Sequence, residues 1–95
     1  MEFEWDEGKR ESNLTKHFID FLDAIAIWKG PVIDPAGSRR LKSEDRYLAL
    51  GTIGEDRLTI AVVYTVRGKV RRIISARRAR RNERKAYKGI FGEGG

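Results

Sequence analysis

Hydrophobic and polar residues alternate only briefly at the start of the chain, before a helical pattern takes over. Phe3-Glu4-Trp5 alternates apolar and polar side chains, as is typical of a short strand. Asp6 is a favoured helix N-cap, and Glu7 then places an acid in the positively polarised first turn. The pattern therefore predicts a short strand and then a helix over residues 7–17.

A second helix is predicted over residues 20–29. Asp20 is another N-cap candidate, and four apolar residues follow it at helical spacing: Phe21, Leu22, Ile25 and Trp28. Gly30-Pro31 ends this pattern. Residues 30–45 contain both prolines and show no periodicity, which predicts a loop of unusual length.

From Arg46 onwards the pattern changes to that of strands. Three strands, separated by two short turns rich in glycine and charged residues, are predicted over Arg46–Ile53, Leu58–Val66 and Val70–Ala76. Turns of this length join antiparallel neighbours, so the three strands are expected to form a meander. The middle strand carries apolar residues on both of its faces, and we therefore expect this strand to be covered, at least partly, on both sides.

The last helix is predicted to start near Arg78 and to fray in residues 89–95, which are rich in glycine. The predicted fold class is α+β, in the order βααβββα. A small antiparallel sheet would pack against two N-terminal helices and a basic C-terminal helix. A chain of 95 residues has room for one core, so residues 1–88 are expected to form one domain and residues 89–95 a flexible tail.

The positive charge of the chain is concentrated at its C-terminal end. The net charge is +6, yet residues 67–95 carry eleven Lys or Arg against two Asp or Glu, a net of +9. Residues 1–36 carry four against eight, a net of −4. This asymmetry favours a polyanionic partner, which is a nucleic acid, a membrane surface or an acidic protein.

The composition of the chain argues against a metal site, a cofactor site and a membrane-spanning segment. The chain has no cysteine and one histidine, and its acids show no metal-ligand spacing, so we expect no metal site and no cofactor. Its apolar runs are too short to span a bilayer, and its acidic N-terminus does not resemble a signal peptide. These features predict a cytoplasmic protein that does not contact a membrane.

Basic residues line one side of the last helix and the strand before it. At about 100° per residue, one side of this segment is cationic and the other is mostly apolar. The cationic side comprises Arg77, Arg81, Arg84 and Lys88, and the opposite side comprises Ala79, Glu83, Ala86, Tyr87 and Ile90. Strand alternation predicts one shared face for Arg71, Ile73, Ser75 and Arg77, with Arg72 on the other. A guanidinium and a hydroxyl on one face can hold a phosphate.

His17 and Glu44 are the candidate proton-transfer groups. His17 is the only side chain that titrates near neutrality when unperturbed, although capping helix carbonyls is its more ordinary role. Glu44 lies beside Arg46 where the predicted loop meets the sheet, as either a surface ion pair or a general base. Metal-free RNA cleavage needs a base, cations at the phosphate and an acid, and this chain could supply all three.

One set of residues, spread over residues 3–87, follows the pattern of a known family: Phe3-Glu4-Trp5-Asp6, Lys9, Asn13-Leu14, Lys16-His17, Phe21, Ala24, Glu44-Asp45-Arg46, Leu50-Gly51, the run from Arg72 to Ala79, Glu83-Arg84 and Tyr87. This set resembles the BrnT family of bacterial type II toxins. The resemblance implies a RelE-like fold, a ribonuclease activity that arrests translation, and neutralisation by a BrnA-like antitoxin. It also implies that operator DNA is bound only through the antitoxin.

Two segments depart from the family pattern. Phe18 stands where family members commonly have Gly, and residues 39–43 replace a segment that commonly contains a His-Ser pair. Because residues 39–43 lack the histidine of that pair, the role of general acid would fall to another group.

The basic C-terminal face and the resemblance together lead to the hypothesis of a metal-independent endoribonuclease. Glu44 is then the expected base, and the cations at the transition state are Arg46, Arg72, Arg77 and Arg78. Proton donation or positioning falls to Lys16, His17 or Tyr64. The residues expected to bind the RNA backbone are Arg71, Ser75, Arg80, Arg81, Arg84 and Lys88.

Two other hypotheses use the same surface. A non-catalytic nucleic-acid-binding module, or an inactive toxin homologue, would bind phosphates without cleaving the chain. Alternatively, the cationic helix docks an acidic segment of the antitoxin, which is compatible with the nuclease hypothesis because a covered surface cannot bind RNA. A membrane-binding helix is disfavoured, since its apolar side is mostly alanine.

Overall fold

The computed structural model describes residues 2–33, 39–41 and 44–92, with side chains in residues 2–33 and 46–92. Its elements in chain order are β1 (Glu2–Glu4), α1 (Glu7–His17), α2 (Phe21–Ala24), a 3₁₀ helix (Ile25–Lys29), β2 (Arg39–Leu41), β3 (Glu44–Ile53), β4 (Leu58–Arg67), β5 (Val70–Arg78) and α3 (Arg81–Phe91). The predicted α+β class is confirmed.

The two N-terminal helices begin at the predicted caps. The Asp6 carboxylate accepts a hydrogen bond from the Lys9 N–H at 3.0 Å, and the Asp20 carboxylate accepts one from the Leu22 N–H at 3.0 Å. The first helix has the predicted bounds. The second does not stay α-helical, because after Ala24 the chain tightens into the 3₁₀ helix.

The sheet is mixed, with strand order β1-β5-β4-β3-β2. The predicted antiparallel meander of β3, β4 and β5 is confirmed. The prediction of a purely antiparallel sheet is wrong, because β1 pairs with β5 in parallel. The predicted order is also incomplete, since β2 forms within the predicted loop and pairs with β3. Alternation along one segment cannot show which strand pairs with it, or in which direction.

The middle strand is covered, at least partly, on both sides, as its pattern predicted. The first core lies between the sheet and the N-terminal helices and contains Ile19, Phe21, Ala24, Ile27, Ala49, Ile60, Val62, Ile73 and Ala76. The second core lies beneath α3 and contains Leu50, Ala61, Ala79 and Tyr87. Gly51 permits the close approach of the 3₁₀ helix, since a Cβ there would lie 2.6 Å from that of Ile27.

The buried side chain of Asn13 attaches α1 to the edge of β5. Its amide nitrogen donates to the carbonyl oxygens of Ile19 at 2.9 Å and Ala76 at 2.8 Å, and its oxygen accepts from the Ala76 N–H at 3.0 Å. β1 pairs with β5 only at residues 70–72. Asn13 therefore pairs with the N–H and C=O of Ala76, which a longer β1 would otherwise have to satisfy.

The last helix starts later and ends later than predicted. β5 continues to Arg78, and α3 runs from Arg81 through Gly89 to Phe91. Phe91 packs against Tyr87 with 4.8 Å between ring centroids, while Ile90, predicted on the apolar side, is 64% exposed. Within the predicted tail, residues 93–95 lie outside the described part of the chain.

Asn13→Ala is expected to lower the free energy of unfolding by roughly 2–3 kcal/mol, because it leaves the buried N–H and C=O of Ala76 without partners. Urea denaturation followed by circular dichroism measures this. Ser12→Ala, at an exposed neighbour on the same helix, is the matched control and should change the value by less than about 0.5 kcal/mol. Equal stabilities of Asn13→Ala and the wild type would contradict the edge-capping role.

Phe18→Gly is expected to raise the free energy of unfolding by up to about 1 kcal/mol. Phe18 caps α1 in the left-handed region, with φ 62° and ψ 25°, and its side chain is 85% exposed, so little packing offsets the strain. Thermal denaturation checks this. Phe18→Ala removes the same ring but keeps the Cβ, so it should not stabilise the protein, and a lower stability of Phe18→Gly than of Phe18→Ala would contradict the argument.

Candidate active site

A β-bulge in β5 decides which basic side chains share a face of the sheet. Ser75 pairs with Val63 and Ile73 pairs with the next residue, Tyr64, so Ile74 is the extra residue. The bulge places Ile73 and Ser75 on opposite faces. The predicted shared face of Arg71, Ile73, Ser75 and Arg77 is therefore wrong: the first two lie on the side of the first core, the last two on the side of the second.

Four residues of the predicted site share the side of the second core: Arg46, Arg72, Ser75 and Arg77. We call this surface the arginine face. Arg77 pairs with Ala61 of the second core, and Arg72 pairs with Thr65. Tyr47 and Tyr64 are paired and stack on the side of the first core. Arg46 precedes Tyr47 and Thr65 follows Tyr64, so strand alternation places Arg46 and Thr65 on the side of the second core. The fold thus gathers three guanidiniums from two strands.

Arg77 is held by a bidentate ion pair with Glu83. Its Nη1 and Nη2 donate to Oε1 and Oε2 of Glu83 at 2.8 Å and 3.0 Å, and the Arg80 N–H donates to the same carboxylate at 2.7 Å. The hydrogen bonds from Arg77 lower the pKa of Glu83, and those to Glu83 raise the pKa of Arg77. One buried carboxylate therefore orients the guanidinium and caps α3.

Arg72 is held from the neighbouring strand. Its Nη1 donates to Oε2 of Glu4 at 2.7 Å, across the parallel pair in which Glu4 is opposite Arg72. The side chain of Arg72 keeps 30% of its surface exposed. Glu4 was not among the predicted site residues, and no local signal reveals it, because its partner lies 68 positions away in the sequence.

Lys16 and His17 lie near the arginine face, across a cleft. The cleft has a volume of about 230 Å³ and lies between α1 and β5, lined by Lys9, Ser12, Asn13, Lys16, His17, Ile74 and Ser75. Ser75 belongs both to this cleft and to the arginine face. The predicted imidazole, ammonium and hydroxyl groups therefore line one cleft.

Tyr64 and Arg71 lie on the other face and do not join this group. The Arg71 guanidinium lies over the rings of Trp28 and Tyr64, at 5.2 Å and 5.7 Å from their centroids. Trp28 and Tyr64 also meet edge to face at 5.2 Å. These side chains form an aromatic cluster packed on the first core, and cation–π attraction accounts for the position of Arg71.

The remaining predicted cations lie at the end of β5 and on α3. Arg78 is exposed opposite Ile60, on the first-core side. Arg80, the N-cap of α3, is exposed, and so are Arg81, Arg84 and Lys88 on the helix. Arg84 donates from Nη1 to the carbonyl of Ala79 at 2.7 Å, which ties part of this row to the strand end. Glu83 and Tyr87 form the buried side of α3, as predicted.

Glu44 begins β3, where its backbone pairs with Leu41, and its side chain lies outside the described part of the chain. Its predicted role as base therefore stays a prediction. Within residues whose side chains are described, no three His, Asp or Glu side chains are grouped to hold a metal ion. No helix of the described residues is long and apolar enough to cross a membrane.

Glu83→Gln is expected to lower the free energy of unfolding at pH 7 by about 2 kcal/mol, since it weakens the pairing with Arg77. The pKa of Glu83 is lowered in the folded protein from its usual 4.5, so its contribution is present above that pH and is lost as the pH falls through the lowered value. The variant should therefore lose less stability than the wild type on acidification below pH 4.5.

Urea denaturation at several pH values measures both effects of Glu83→Gln. Glu11→Gln, at an exposed glutamate of α1, is the matched control and should change the stability at pH 7 by less than about 0.5 kcal/mol. Parallel stability curves for Glu83→Gln and the wild type below pH 4.5 would contradict the assignment.

The arginine face and the adjoining cleft fall within a segment that matches a known family. The family model, described as the ribonuclease toxin BrnT of a type II toxin–antitoxin system, covers residues 5–83. The matched segment includes Lys16, His17, Arg46, Arg72 and Arg77. No individual curated protein shows a significant match to the chain. Because the family model covers most of the 95 residues, the chain belongs to the BrnT family of ribonuclease toxins of type II toxin–antitoxin systems.

Proposed function

We propose that the protein is an endoribonuclease toxin that cleaves RNA without a metal ion, through 2′-OH attack, and thereby inhibits translation. The observation that carries this proposal is the arginine face, where three guanidiniums share one side of a sheet. Guanidinium groups suit phosphate because their planar N–H donors match its oxygens. We also assign the α+β sheet and its flanking helices to the RelE-like class, on the basis of the sequence pattern.

Charge stabilisation of the transition state is assigned to Arg46, Arg72 and Arg77. A phosphorane-like transition state gathers negative charge on its non-bridging oxygens, and preorganised donors stabilise that charge without reorganising during the reaction. Two of the three arginines are held by carboxylates: Arg72 by Glu4 and Arg77 by Glu83. Each arginine keeps N–H donors beyond those that its carboxylate uses, since a guanidinium has five.

The proton transfers are assigned to groups at the borders of the arginine face. Glu44 is the proposed base for the 2′-OH proton, since it precedes Arg46 on β3. Lys16 or His17 would protonate the leaving 5′ oxygen from the cleft that Ser75 shares with them. We assign no proton-transfer role to Tyr64, because it lies on the opposite face of the sheet.

The exposed cations at the end of β5 and on α3 are assigned to the RNA backbone. Arg78, Arg80, Arg81, Arg84 and Lys88 extend the positive surface from the end of β5 along α3. Contacts of this kind are indifferent to base sequence and weaken steeply with salt. They would position a transcript across the arginine face rather than select a sequence within it.

The protein partner is proposed to be a BrnA-like antitoxin, with operator DNA bound through that antitoxin alone. The exposed cationic side of α3 fits an acidic segment by charge complementarity. An antitoxin segment bound there would cover the residues proposed to bind the RNA backbone, so binding of the antitoxin would also neutralise the toxin. The site of action is then the cytoplasm, where transcripts are translated.

Purified protein is expected to cut RNA in EDTA and to leave fragments ending in 2′,3′-cyclic phosphate. Arg46→Ala and Arg72→Ala should each lower the cleavage rate by at least about 100-fold, because each removes a donor to the transition state. Arg57→Ala, at an exposed arginine of the β3–β4 turn, is the matched control and should cleave at the wild-type rate. Mass spectrometry of the fragments and gel-based rates measure these outcomes.

Induced expression in bacteria supplies the cellular arm of the same experiment. The wild type and Arg57→Ala should arrest growth, Arg46→Ala and Arg72→Ala should not, and co-expression of the adjacent reading frame should restore growth. Salt-dependent RNA binding without fragments would contradict the nuclease and favour a non-catalytic binding module. Arrest by folded Arg46→Ala and Arg72→Ala would remove those residues from the mechanism.

A further inference from the structure

Thr65 is a buried polar residue whose hydroxyl has no hydrogen-bond partner among the described side chains. The residue is 3% exposed, and its Oγ1 makes no hydrogen bond within the described part of the chain. A buried donor without a partner destabilises a fold, and most such groups in native proteins are satisfied. Valine has nearly the same shape and would fill this position without that cost. The hydroxyl therefore points to a use outside the folding of the chain.

The surroundings of Thr65 are cationic on both sides. Arg72 is its cross-strand partner on β5, and Arg46 lies on the same face at the adjoining end of β3. The Nε of Arg46 is also buried and without a hydrogen-bond partner among the described residues. Two buried polar groups that lack a partner within the described part of the chain thus lie in one row across the sheet. A third, Nε of Arg71, lies on the opposite face, where that guanidinium stacks on aromatic rings.

The three side chains supply donors suited to one anion. A hydroxyl O–H, an Nε–H and the remaining N–H groups of Arg72 can all donate to phosphate oxygens. Among the described side chains, Glu4 accepts from Nη1 of Arg72, and a guanidinium has four further N–H donors. Leu48 and Val63, the next row along the same face, are apolar, and a less polar neighbourhood strengthens hydrogen bonds to a charge.

We propose that Thr65, Arg46 and Arg72 form a phosphate-binding subsite on the arginine face, in which the Thr65 hydroxyl donates to a phosphodiester oxygen of the RNA. The identification of RNA as the ligand of this subsite rests on the proposed nuclease function, whereas its ability to bind phosphate does not. Because the hydroxyl is covered in the free protein, binding requires neighbouring side chains to move. The flanking arginines have the rotamer freedom to do so.

The test compares Thr65→Val, Thr65→Ser and Thr59→Val. Thr65→Val keeps the shape and removes the hydroxyl, whereas Thr65→Ser keeps the hydroxyl. Thr59→Val makes the same change on the same face of β4, at its opposite end, and is the matched control. Inorganic phosphate is titrated at constant ionic strength with sodium chloride as the balance, and amide NMR shifts report its affinity. RNA cleavage rates and thermal midpoints are measured on the same variants.

Thr65→Val is expected to weaken phosphate binding and to slow RNA cleavage about 10-fold to 100-fold, as for a lost hydrogen bond to a charged group. Its thermal midpoint should equal or exceed that of the wild type, since it no longer buries an unpartnered hydroxyl. Thr65→Ser should recover most of the affinity, and Thr59→Val should match the wild type. If Thr65→Val does not fold, Thr65→Ala takes its place with the same expected losses.

Wild-type phosphate affinity in folded Thr65→Val would overturn the subsite, whatever the wild type does to RNA. A lower thermal midpoint with unchanged affinity would overturn it too, and would make Thr65 a residue of the fold. A wild type that binds phosphate through Thr65 but cleaves no RNA would leave the subsite in place and remove the nuclease function. The two proposals can therefore fail separately.

Discussion

The carboxylate of Glu83 joins the end of the sheet to the start of the last helix. It accepts both Nη donors of Arg77 and the backbone N–H of Arg80, so strand, connection and helix are fixed by one group. The segment around it is strongly cationic, and without this acid its charges would repel one another at close range. The placement of α3 over the second core and the orientation of the Arg77 guanidinium both depend on this contact.

The sheet divides its two faces between stability and recognition. The first face carries the larger core, the aromatic cluster around Trp28 and the edge cap made by Asn13. Part of the second face is covered by the eleven-residue helix α3, which packs over the smaller core that contains Leu50 and Ala61. The rest of that face includes arginines, Ser75 and Thr65, whose hydroxyl has no hydrogen-bond partner among the described side chains. A chain of this length can place a charged site on a sheet because the opposite face supplies most of the core.

Much of the local structure, and part of the set of site residues, could be predicted from the sequence. The caps at Asp6 and Asp20 and the period-2 strands were sufficient to locate most elements, because capping and alternation act over a few residues. Arg46, Arg72 and Arg77 were expected in one site, and the fold brings them to one face. Arg71 and Tyr64 were expected with them and lie on the other. The bulge at Ile74 decides this for Arg71, and the pairing that forms the bulge is not encoded in the alternation of β5. Tyr64 follows the alternation of β4, which places it with Ile60 and Val62 of the first core.

The sequence by itself determined the α+β class, the concentration of positive charge in the last third and the family, since each follows from residue types and their order along the chain. Only the tertiary structure decided that β1 pairs in parallel with β5, that Glu4 holds Arg72, and that the hydroxyl of Thr65 is buried beside two guanidiniums. These contacts join residues far apart in the sequence, and their energies depend on pairing and burial, which no local pattern specifies.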